Sequence, residues 1–303
     1  MRVYGGLILV SILTLSLLGG CGSDDTAAPE APARNPVLFQ ITDNDDFEGN
    51  PTYSPDGNWI LFESDSAGNM DIYKVNAAGG PITALTTDSA FDSSPCWSPD
   101  GSSIAFESER AGTKDIWVLD VTTFGATPIQ LTSTDDHDGS PCWSPNNDYI
   151  VFESNRSKNG GSDLWLVPVG GGDCQRLTTT ADGAYSQSAD WAPDGGHVVF
   201  ESNRAGSVAL FTVTNWGLNP TQITEDVGYE GHPAWSPNGE EIAFESTISG
   251  ISEIYTVAAT GGEAFRVTMH GGYWPSWSPN GNKLVYCNYG GSEPNIWTVD
   301  VDW

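Results

Sequence analysis

Apolar and polar residues alternate along most of this chain in short runs that end at Pro, Asp, Asn, Ser or Gly. Ile60-Leu-Phe62 and Ile104-Ala-Phe106 are typical apolar runs, and turn residues flank both of them. Short runs of this kind predict β-strands. No stretch keeps the period of about 3.6 residues that marks an amphipathic helix. The pattern therefore predicts an all-β chain with almost no helix.

The strands belong to a repeat whose first part is Pro-x-Trp-Ser-Pro-Asp-Gly or a close variant. Successive copies start 44, 46, 48, 44 and 42 residues apart, close to the roughly 40–45 residues of a four-stranded propeller blade. Pro-Asp-Gly predicts a tight turn, because proline fixes its own φ and glycine accepts a positive φ. The copies begin at Pro51, Pro95, Pro141, Ala189, Pro233 and Pro275.

Three further strand signals follow within each repeat. An apolar run ends in Phe-Glu-Ser, a second strand begins Asp-Ile-Tyr or Asp-Ile-Trp, and a third ends in an apolar-Thr pair. The sixth repeat has Cys287 where the others have the glutamate. A residue needed by every blade is structural, since catalysis uses a few groups in distinct environments. We therefore interpret these glutamates as acceptors of hydrogen bonds between blades: Glu63, Glu107, Glu153, Glu201 and Glu245.

The two ends of the repeat array complement each other. The sixth repeat stops after its third strand, and a matching apolar-Thr strand lies at the other end, in Val37–Thr42. A ring that failed to close would leave unpaired strand edges. The sequence therefore predicts, over residues 36–303, a six-bladed β-propeller of four-stranded blades. Leu38–Thr42 is expected to pair with Ile296–Val299 and to complete the last blade.

The first 35 residues differ in character from the repeats. Residues 1–20 combine Arg2, an apolar run and a small-residue exit, the features of an export signal peptide. Residues 21–35 are polar and rich in Ala and Pro, which predicts a flexible tether. The Leu-Gly-Gly-Cys ending resembles the lipobox of bacterial lipoproteins and implies a lipidated Cys21. An ordinary cleaved signal or an uncleaved anchor is the alternative.

The charge of the chain excludes two classes of partner. Its 11 Lys and Arg face 40 Asp and Glu, for a formal net charge of −29. Such a field repels nucleic-acid phosphates and anionic lipid headgroups. We therefore expect no nucleic-acid partner, and contact with a membrane only through the lipid anchor. Most of these acids are interpreted as solvated surface.

The repeat resembles the WD-like repeat of the TolB propeller family. The Pro-x-Trp-Ser-Pro-Asp-Gly turn, the Phe-Glu-Ser strand and the Asp-Ile-Tyr/Trp strand carry the resemblance, which spans residues 37–303. It implies a propeller in the cell envelope, periplasmic or at the cell surface, that docks an envelope protein or peptide. The chain departs from the family pattern in showing only a tether, and no α/β domain, before the propeller, and in its lipoprotein-type signal.

Acidic residues recur in the loops that lead into the first strand of each blade. These loops open onto the central channel of a propeller, so their carboxylates could gather at one mouth, with Asp190 as a further member. Ligand sets made only of oxygen suit calcium or magnesium. The hypothesis is a cation, calcium in particular, or a basic peptide group held there, with solvated loop acids as the alternative. The four loop acids are Glu48, Asp92, Asp138 and Glu230.

Three aromatic residues of the same loops lie outside the repeat pattern. Tyr229, Tyr273 and Trp274 are therefore predicted ligand contacts, whereas the tryptophans that recur with the repeat are predicted to pack between blades. The loop histidines stand at different offsets from their motifs, which argues against a shared metal site. These histidines are His137, His232 and His270.

Two cysteines fill one slot of neighbouring repeats. Equivalent positions on adjacent inner strands splay around the channel, beyond the Cα separation of about 7 Å that a disulfide tolerates. Cys96 and Cys142 are therefore predicted to be free thiols.

Together these features predict a non-enzymatic, envelope-anchored propeller that binds a protein, a peptide or a cation through an acidic channel mouth. One alternative is a carbohydrate-active enzyme resembling a metal-dependent lyase. Such an enzyme would need cations or basic residues in its channel, yet the channel loops are acidic. A Gly-x-Ser-x-Gly nucleophile motif is also absent from the sequence. The other alternative is a purely structural surface module.

Overall fold

The strands of this chain form six four-stranded antiparallel sheets, which are the blades of a propeller. The computed structural model describes residues 37–225, 228–289 and 293–301. The described residues contain no helix, and hence none long and apolar enough to cross a membrane. The predicted signal peptide, Cys21 and the tether over residues 21–35 lie outside the described residues.

Each blade runs from an inner strand beside the channel to an outer strand at the rim. The inner strands are β2 (Glu48–Tyr53), β6 (Asp92–Trp97), β10 (Asp138–Trp143), β14 (Ser186–Trp191), β18 (Glu230–Trp235) and β22 (Tyr273–Trp277). The second strands are β3 (Trp59–Ser64), β7 (Ser103–Ser108), β11 (Tyr149–Ser154), β15 (His197–Ser202), β19 (Glu241–Ser246) and β23 (Lys283–Asn288). The third strands are β4 (Asp71–Asn76), β8 (Asp115–Asp120), β12 (Asp163–Pro168), β16 (Ala209–Thr214), β20 (Glu253–Ala258) and β24 (Asn295–Asp300). The outer strands are β5 (Thr83–Ala84), β9 (Ile129–Gln130), β13 (Gln175–Arg176), β17 (Thr221–Gln222), β21 (Phe265–Arg266) and, in the sixth blade, β1 (Leu38–Gln40).

The predicted closure of the ring is confirmed. Strand β1 pairs antiparallel with β24, with Leu38 opposite Val299. The hydroxyl of Thr42 accepts a hydrogen bond of 2.9 Å from the amide of Ile296. The apolar-Thr threonines make the same bond to the third strand in the first five blades. The N-terminal strand thus takes the place that an outer strand holds in every other blade.

The hydrophobic core lies between neighbouring blades. The phenylalanine of each Phe-Glu-Ser strand is buried, and burial of such a side chain contributes about 1.5–3 kcal/mol. Trp97 of the second blade packs in one cluster with Leu61 and Ile72 of the first. This contact agrees with the prediction that the recurrent tryptophans pack blade against blade.

Every inner strand is interrupted by a β-bulge. Its register with the second strand shifts there in all six blades. The bulged residue has a left-handed φ between 47° and 51°. A residue other than glycine held in such a conformation costs about 1–3 kcal/mol, so contacts outside its own blade must stabilise it. The bulged residues are Asn50, Ser94, Ser140, Ser188, His232 and Trp274.

Candidate functional site: the channel and its glutamate ring

The six inner strands enclose a cavity of about 260 Å³ along the propeller axis. Its wall consists of three consecutive residues from each blade, starting at the bulged residue, and most of them are small or apolar. No Lys or Arg is among these lining residues. Asp190, His232 and Trp274 stand out from this pattern, because each is large or charged where most blades carry Ser, Asn, Ala or Thr.

Three of the Phe-Glu-Ser glutamates join their blade to the next. Their carboxylates accept hydrogen bonds from the amides of bulged residues in the following blade, which agrees with their interpretation as inter-blade acceptors. This contact also explains how the strained bulge is held in place. The bonds are Ser94 N to Glu63 Oε2 at 2.7 Å, Ser140 N to Glu107 Oε2 at 3.2 Å, and His232 N to Glu201 Oε2 at 3.0 Å.

Glycine stands before the bulge where carboxylates of neighbouring blades meet. A Cβ on Gly139 would lie 2.5 Å from Oε2 of Glu107 and 3.4 Å from Oε1 of Glu153. Gly139 therefore lies between acids of the second and third blades. Since the repeat places an equivalent acid in five blades, the carboxylates surround the channel. We call them the glutamate ring: Glu63, Glu107, Glu153, Glu201 and Glu245, with Cys287 at the sixth position.

The glutamate ring concentrates negative charge in a poorly solvated place. Burial raises the pKa of Glu63, and the charge of Glu107 adds to the effect. Burial also raises the pKa of Glu153, to about 8, with the charges of Glu107 and Glu201 contributing. Lys114 offsets one carboxylate, since its Nζ lies 2.7 Å from Oε1 of Glu107. A further cationic group placed near the ring would relieve the remaining repulsion.

His232 links the glutamate ring to aromatic side chains. Its Nε2 accepts a hydrogen bond of 3.1 Å from Nε1 of Trp274, and its Nδ1 lies 3.1 Å from Oε2 of Glu245. An imidazolium has no lone pair for the indole N–H. The hydrogen bonds therefore assign a neutral ring with its proton on Nδ1, which donates to Glu245. The hydroxyl of Tyr229 donates to Oε2 of Glu201 at 3.1 Å.

Protonation of His232 competes with this arrangement. Burial by itself lowers the pKa of His232, but the hydrogen bond to Glu245 and the charges of Glu201, Glu245 and Glu153 outweigh it and raise the pKa. A second proton on His232 would occupy Nε2 and remove the acceptor of the hydrogen bond from Trp274. Burial, followed by the charge of Glu201, raises the pKa of Tyr229 so far that its hydroxyl stays a donor.

An aromatic strip runs from the surface to this network. Tyr289 is 48% exposed, and its ring centroid lies 5.3 Å from that of Tyr273, which is 5.9 Å from that of Trp274. Trp274 in turn lies 5.8 Å from His232, and His232 lies 6.3 Å from Tyr229. These five residues are the aromatic strip. The structure thus brings together Tyr229, Tyr273 and Trp274, the three aromatic contacts predicted from sequence.

The four acids of the predicted loop ring lie apart from the residues that line the channel cavity. All four acids are buried at the starts of inner strands. Two of them pair with an arginine that follows the Phe-Glu-Ser strand of the same blade. The contacts are Asp92 with Arg110 at 2.5 Å, Asp138 with Arg156 at 2.6 Å, and Glu48 with Thr42 and Asn44, while Glu230 is buried in the equivalent position.

The same geometry bears on the calcium hypothesis. Within residues 37–225, 228–289 and 293–301, no group of three or more His, Cys, Asp or Glu side chains is placed to hold a metal ion. Glu48, Asp92, Asp138 and Glu230 therefore do not form the expected calcium site. The glutamates of the ring belong to the second strands and are likewise not among the residues that line the channel.

Asp190 lies in the channel wall and not with the loop acids. Its Oδ2 accepts a hydrogen bond of 2.7 Å from the amide of Trp235, and its Oδ1 accepts one of 3.2 Å from the thiol of Cys142. Burial raises the pKa of Asp190. Cys142 and its counterpart Cys96 are free thiols, as predicted.

The sequence reasoning considered His232 only as a metal ligand and did not anticipate its link to the repeated glutamates. The repeat itself contained a signal that could have drawn attention to His232. At the bulged position four blades carry Asn or Ser, whereas the last two carry His232 and Trp274. Large side chains held in a left-handed conformation are typical of functional sites. A column-by-column comparison of the repeats would have singled out both residues.

The family model described as the TolB beta propeller domain matches residues 89–210 and 183–303. These two matches cover well over half of the chain. This chain belongs to the TolB beta propeller family. No protein in the comparison with curated proteins matches it.

Solved structures of TolB proteins share the fold. A putative TolB from Agrobacterium tumefaciens is 21% identical with a TM-score of 0.67, over 88% of this chain and 97% of that one. TolB from Acinetobacter baumannii is 19% identical with a TM-score of 0.65, and the alignment covers 83% of this chain but 63% of that protein. An oligogalacturonate lyase from Vibrio parahaemolyticus is 14% identical with a TM-score of 0.61, over 88% and 93% of the two chains.

Proposed function

We propose that this propeller is a non-enzymatic binding protein of the cell envelope, and that a protein or peptide partner docks at its channel mouth. The observation that carries the proposal is the glutamate ring, whose carboxylates repel one another beside a strip of aromatic residues that reaches the surface. A Lys, an Arg or an N-terminal amine would gain from the ring, and an adjoining apolar segment would gain from the aromatic strip.

Family membership supports the same proposal. The TolB proteins similar to this chain share its fold, and the export-type N-terminal sequence suits a protein that acts in the envelope. We place the protein in the periplasm or at the cell surface, held by a lipid on Cys21. A net charge of −29 favours a basic partner segment and disfavours nucleic acid.

A crosslinking experiment in native envelopes tests the docking site. A photo-crosslinking amino acid replaces Tyr273 in the aromatic strip of the full chain, and in a matched control it replaces Phe124, which is fully exposed at the opposite end of the blades. The expected result is a discrete adduct from position 273 alone, weakened by high salt because the attraction is electrostatic. Equal adducts from both positions, or none from position 273, would contradict the proposal.

The carbohydrate-lyase alternative gains no support from the site. The likeness to the oligogalacturonate lyase, at 14% identity, is a likeness of fold. An acidic sugar needs cationic contacts, and the residues that line the channel include no Lys or Arg. Lys114, which lies beside the glutamate ring, is already paired with Glu107.

A further inference from the structure

A second cavity lies between the third and fourth blades, at the end of the propeller opposite the glutamate ring. Its volume is about 530 Å³, within the range of about 300–1,000 Å³ typical of small-molecule sites. The Pro-Asn turn of the third blade and the Pro-Asp-Gly turn of the fourth form its walls. We call it the blade 3–4 cleft; its lining includes Asp148, Tyr149, Gln175, Trp191, Asn215 and Trp216.

The cleft is lined by a polar residue at a position where the repeat otherwise has an apolar one. The residue that follows the third strand donates its amide to the turn between the first two strands, in all six blades. In five blades this residue is Ala or Val, and it packs into the hydrophobic cluster between two blades. These five residues are Ala77, Val121, Val169, Ala259 and Val301.

In the fourth blade the same position is Asn215. Its amide keeps the repeated bond, to Gly196 at 3.1 Å, but its side chain turns to the carbonyl of Gly195 at 2.9 Å. The hydrophobic cluster between the third and fourth blades contains no residue from this position. The fold does not require a polar side chain here, since five blades use an apolar one.

The next residue departs from the repeat as well. Trp216 is 79% exposed beside the cleft. The equivalent residues of the first, second, third and fifth blades are Ala78, Thr122, Gly170 and Thr260. Unlike the exposed Phe124 of the second blade, Trp216 borders a cavity, where its indole face can stack on a bound ligand. Two adjacent departures from a structural repeat therefore line one cavity.

We propose that the blade 3–4 cleft binds a neutral oligosaccharide. A sugar ring offers an apolar C–H face for the indole of Trp216 and a rim of hydroxyl groups for amides, carboxylates and the hydroxyl of Tyr149. An apolar ligand would shield the polar side chains of Asn215, Gln175 and Asp148 from water, at the usual cost of burying polar groups. An anionic sugar would be repelled, because Asp148 and Asp194 line the cleft and no Lys or Arg does.

Glycan-array binding followed by calorimetry tests this proposal on the full chain. The neutral probes are cello-, xylo-, manno- and N-acetylchito-hexaose, and hexagalacturonate is the anionic comparison. At least one neutral probe is expected to bind, and hexagalacturonate is not. Binding to none of the neutral glycans, or equal binding of hexagalacturonate, would overturn the proposal.

Two variants and a control locate the site. Trp216→Ala is expected to raise the Kd about tenfold or more, through loss of the stacking surface. Asn215→Val restores the apolar residue of the other blades, so it should abolish binding while leaving the melting temperature equal or higher. Phe124→Ala removes an exposed aromatic from the corresponding connection of the second blade and should change nothing. Binding that survives both cleft variants would place the sugar elsewhere and refute the assignment.

Discussion

The carboxyl group of Glu153 lies among those of the neighbouring blades, and burial together with the charges of Glu107 and Glu201 raises its pKa to about 8. A carboxyl with a raised pKa in the folded state favours folding while it is protonated. Its contribution is complete below the ordinary pKa of about 4.5 and is lost as the pH rises through about 8. One side chain therefore makes the stability of the propeller depend on pH over the neutral range.

The variant Glu153→Gln isolates this effect, because glutamine resembles the neutral acid in shape. We expect its melting temperature to match that of the wild type at pH 5 and to exceed it by several degrees at pH 9. Each kcal/mol of unfolding free energy corresponds to about 2–4 °C for a chain of this size. Calorimetry across this pH range makes the comparison, with the exposed Glu109→Gln as the control. A variant that loses as much stability as the wild type at pH 9 would refute the explanation.

At the scale of the strand, the inner strands make hydrogen bonds of two kinds, and the bulge separates them. They hydrogen-bond within their blade, and in the second, third and fifth blades the amide of the bulged residue donates to the glutamate of the preceding blade. In two blades the residue before the bulge is Gly139 or Gly231, and the missing side chain leaves room for that carboxylate. A Cβ on Gly231 would lie 2.1 Å from Oε2 of Glu201. The bulge, the glycine and the glutamate thus form one structural unit.

Gly139→Ala tests that unit. The added methyl group would lie 2.5 Å from Oε2 of Glu107, so the carboxylate must move and its bond to Ser140 must weaken. Gly139 does not have a left-handed φ, so the loss reports the steric conflict rather than backbone strain. We expect about 1–3 kcal/mol less unfolding free energy in urea. Gly170→Ala, whose methyl group meets nothing within 4 Å, should stay within about 0.5 kcal/mol of the wild type. Equal stability of the two variants would contradict this account.

At the scale of the whole molecule, the sequence was sufficient for the fold and not for the site. Blade count and closure follow from patterns that repeat, and a repeat averages out the local ambiguity of any single strand. The ion pairs of Asp92 with Arg110 and of Asp138 with Arg156 could not be predicted, because the sequence at the start of a strand does not show which side chain will fold back onto it. The hydrogen bonds of His232 could not be predicted, because its partners, Glu201, Glu245 and Trp274, come from three blades and meet only in the closed ring.

The contribution of ring closure to stability can be measured by truncating the N-terminal end of the chain. Removal of residues 1–35 leaves strand β1 intact, and we expect a melting temperature within about 2 °C of the full chain, since the sequence there predicts a signal peptide and a tether and no part of the propeller. Removal of residues 1–42 takes away β1 and Thr42, so that β24 becomes an exposed edge and the amide of Ile296 loses its acceptor. Ile41 also leaves the cluster between the sixth and first blades.

The shorter truncation is therefore the control for the longer one, and the difference between them belongs to the closing strand alone. We expect the chain that starts at residue 43 to melt about 10 °C lower or more, and to form oligomers on size-exclusion chromatography with light scattering, because an unpaired edge recruits strands from other copies. Should it instead remain monomeric with an unchanged melting temperature, the inter-blade contacts of the glutamate ring and the buried aromatics would hold the circle together without β1. Strand pairing between the two ends of the chain would then shape the ring without being needed to stabilise it.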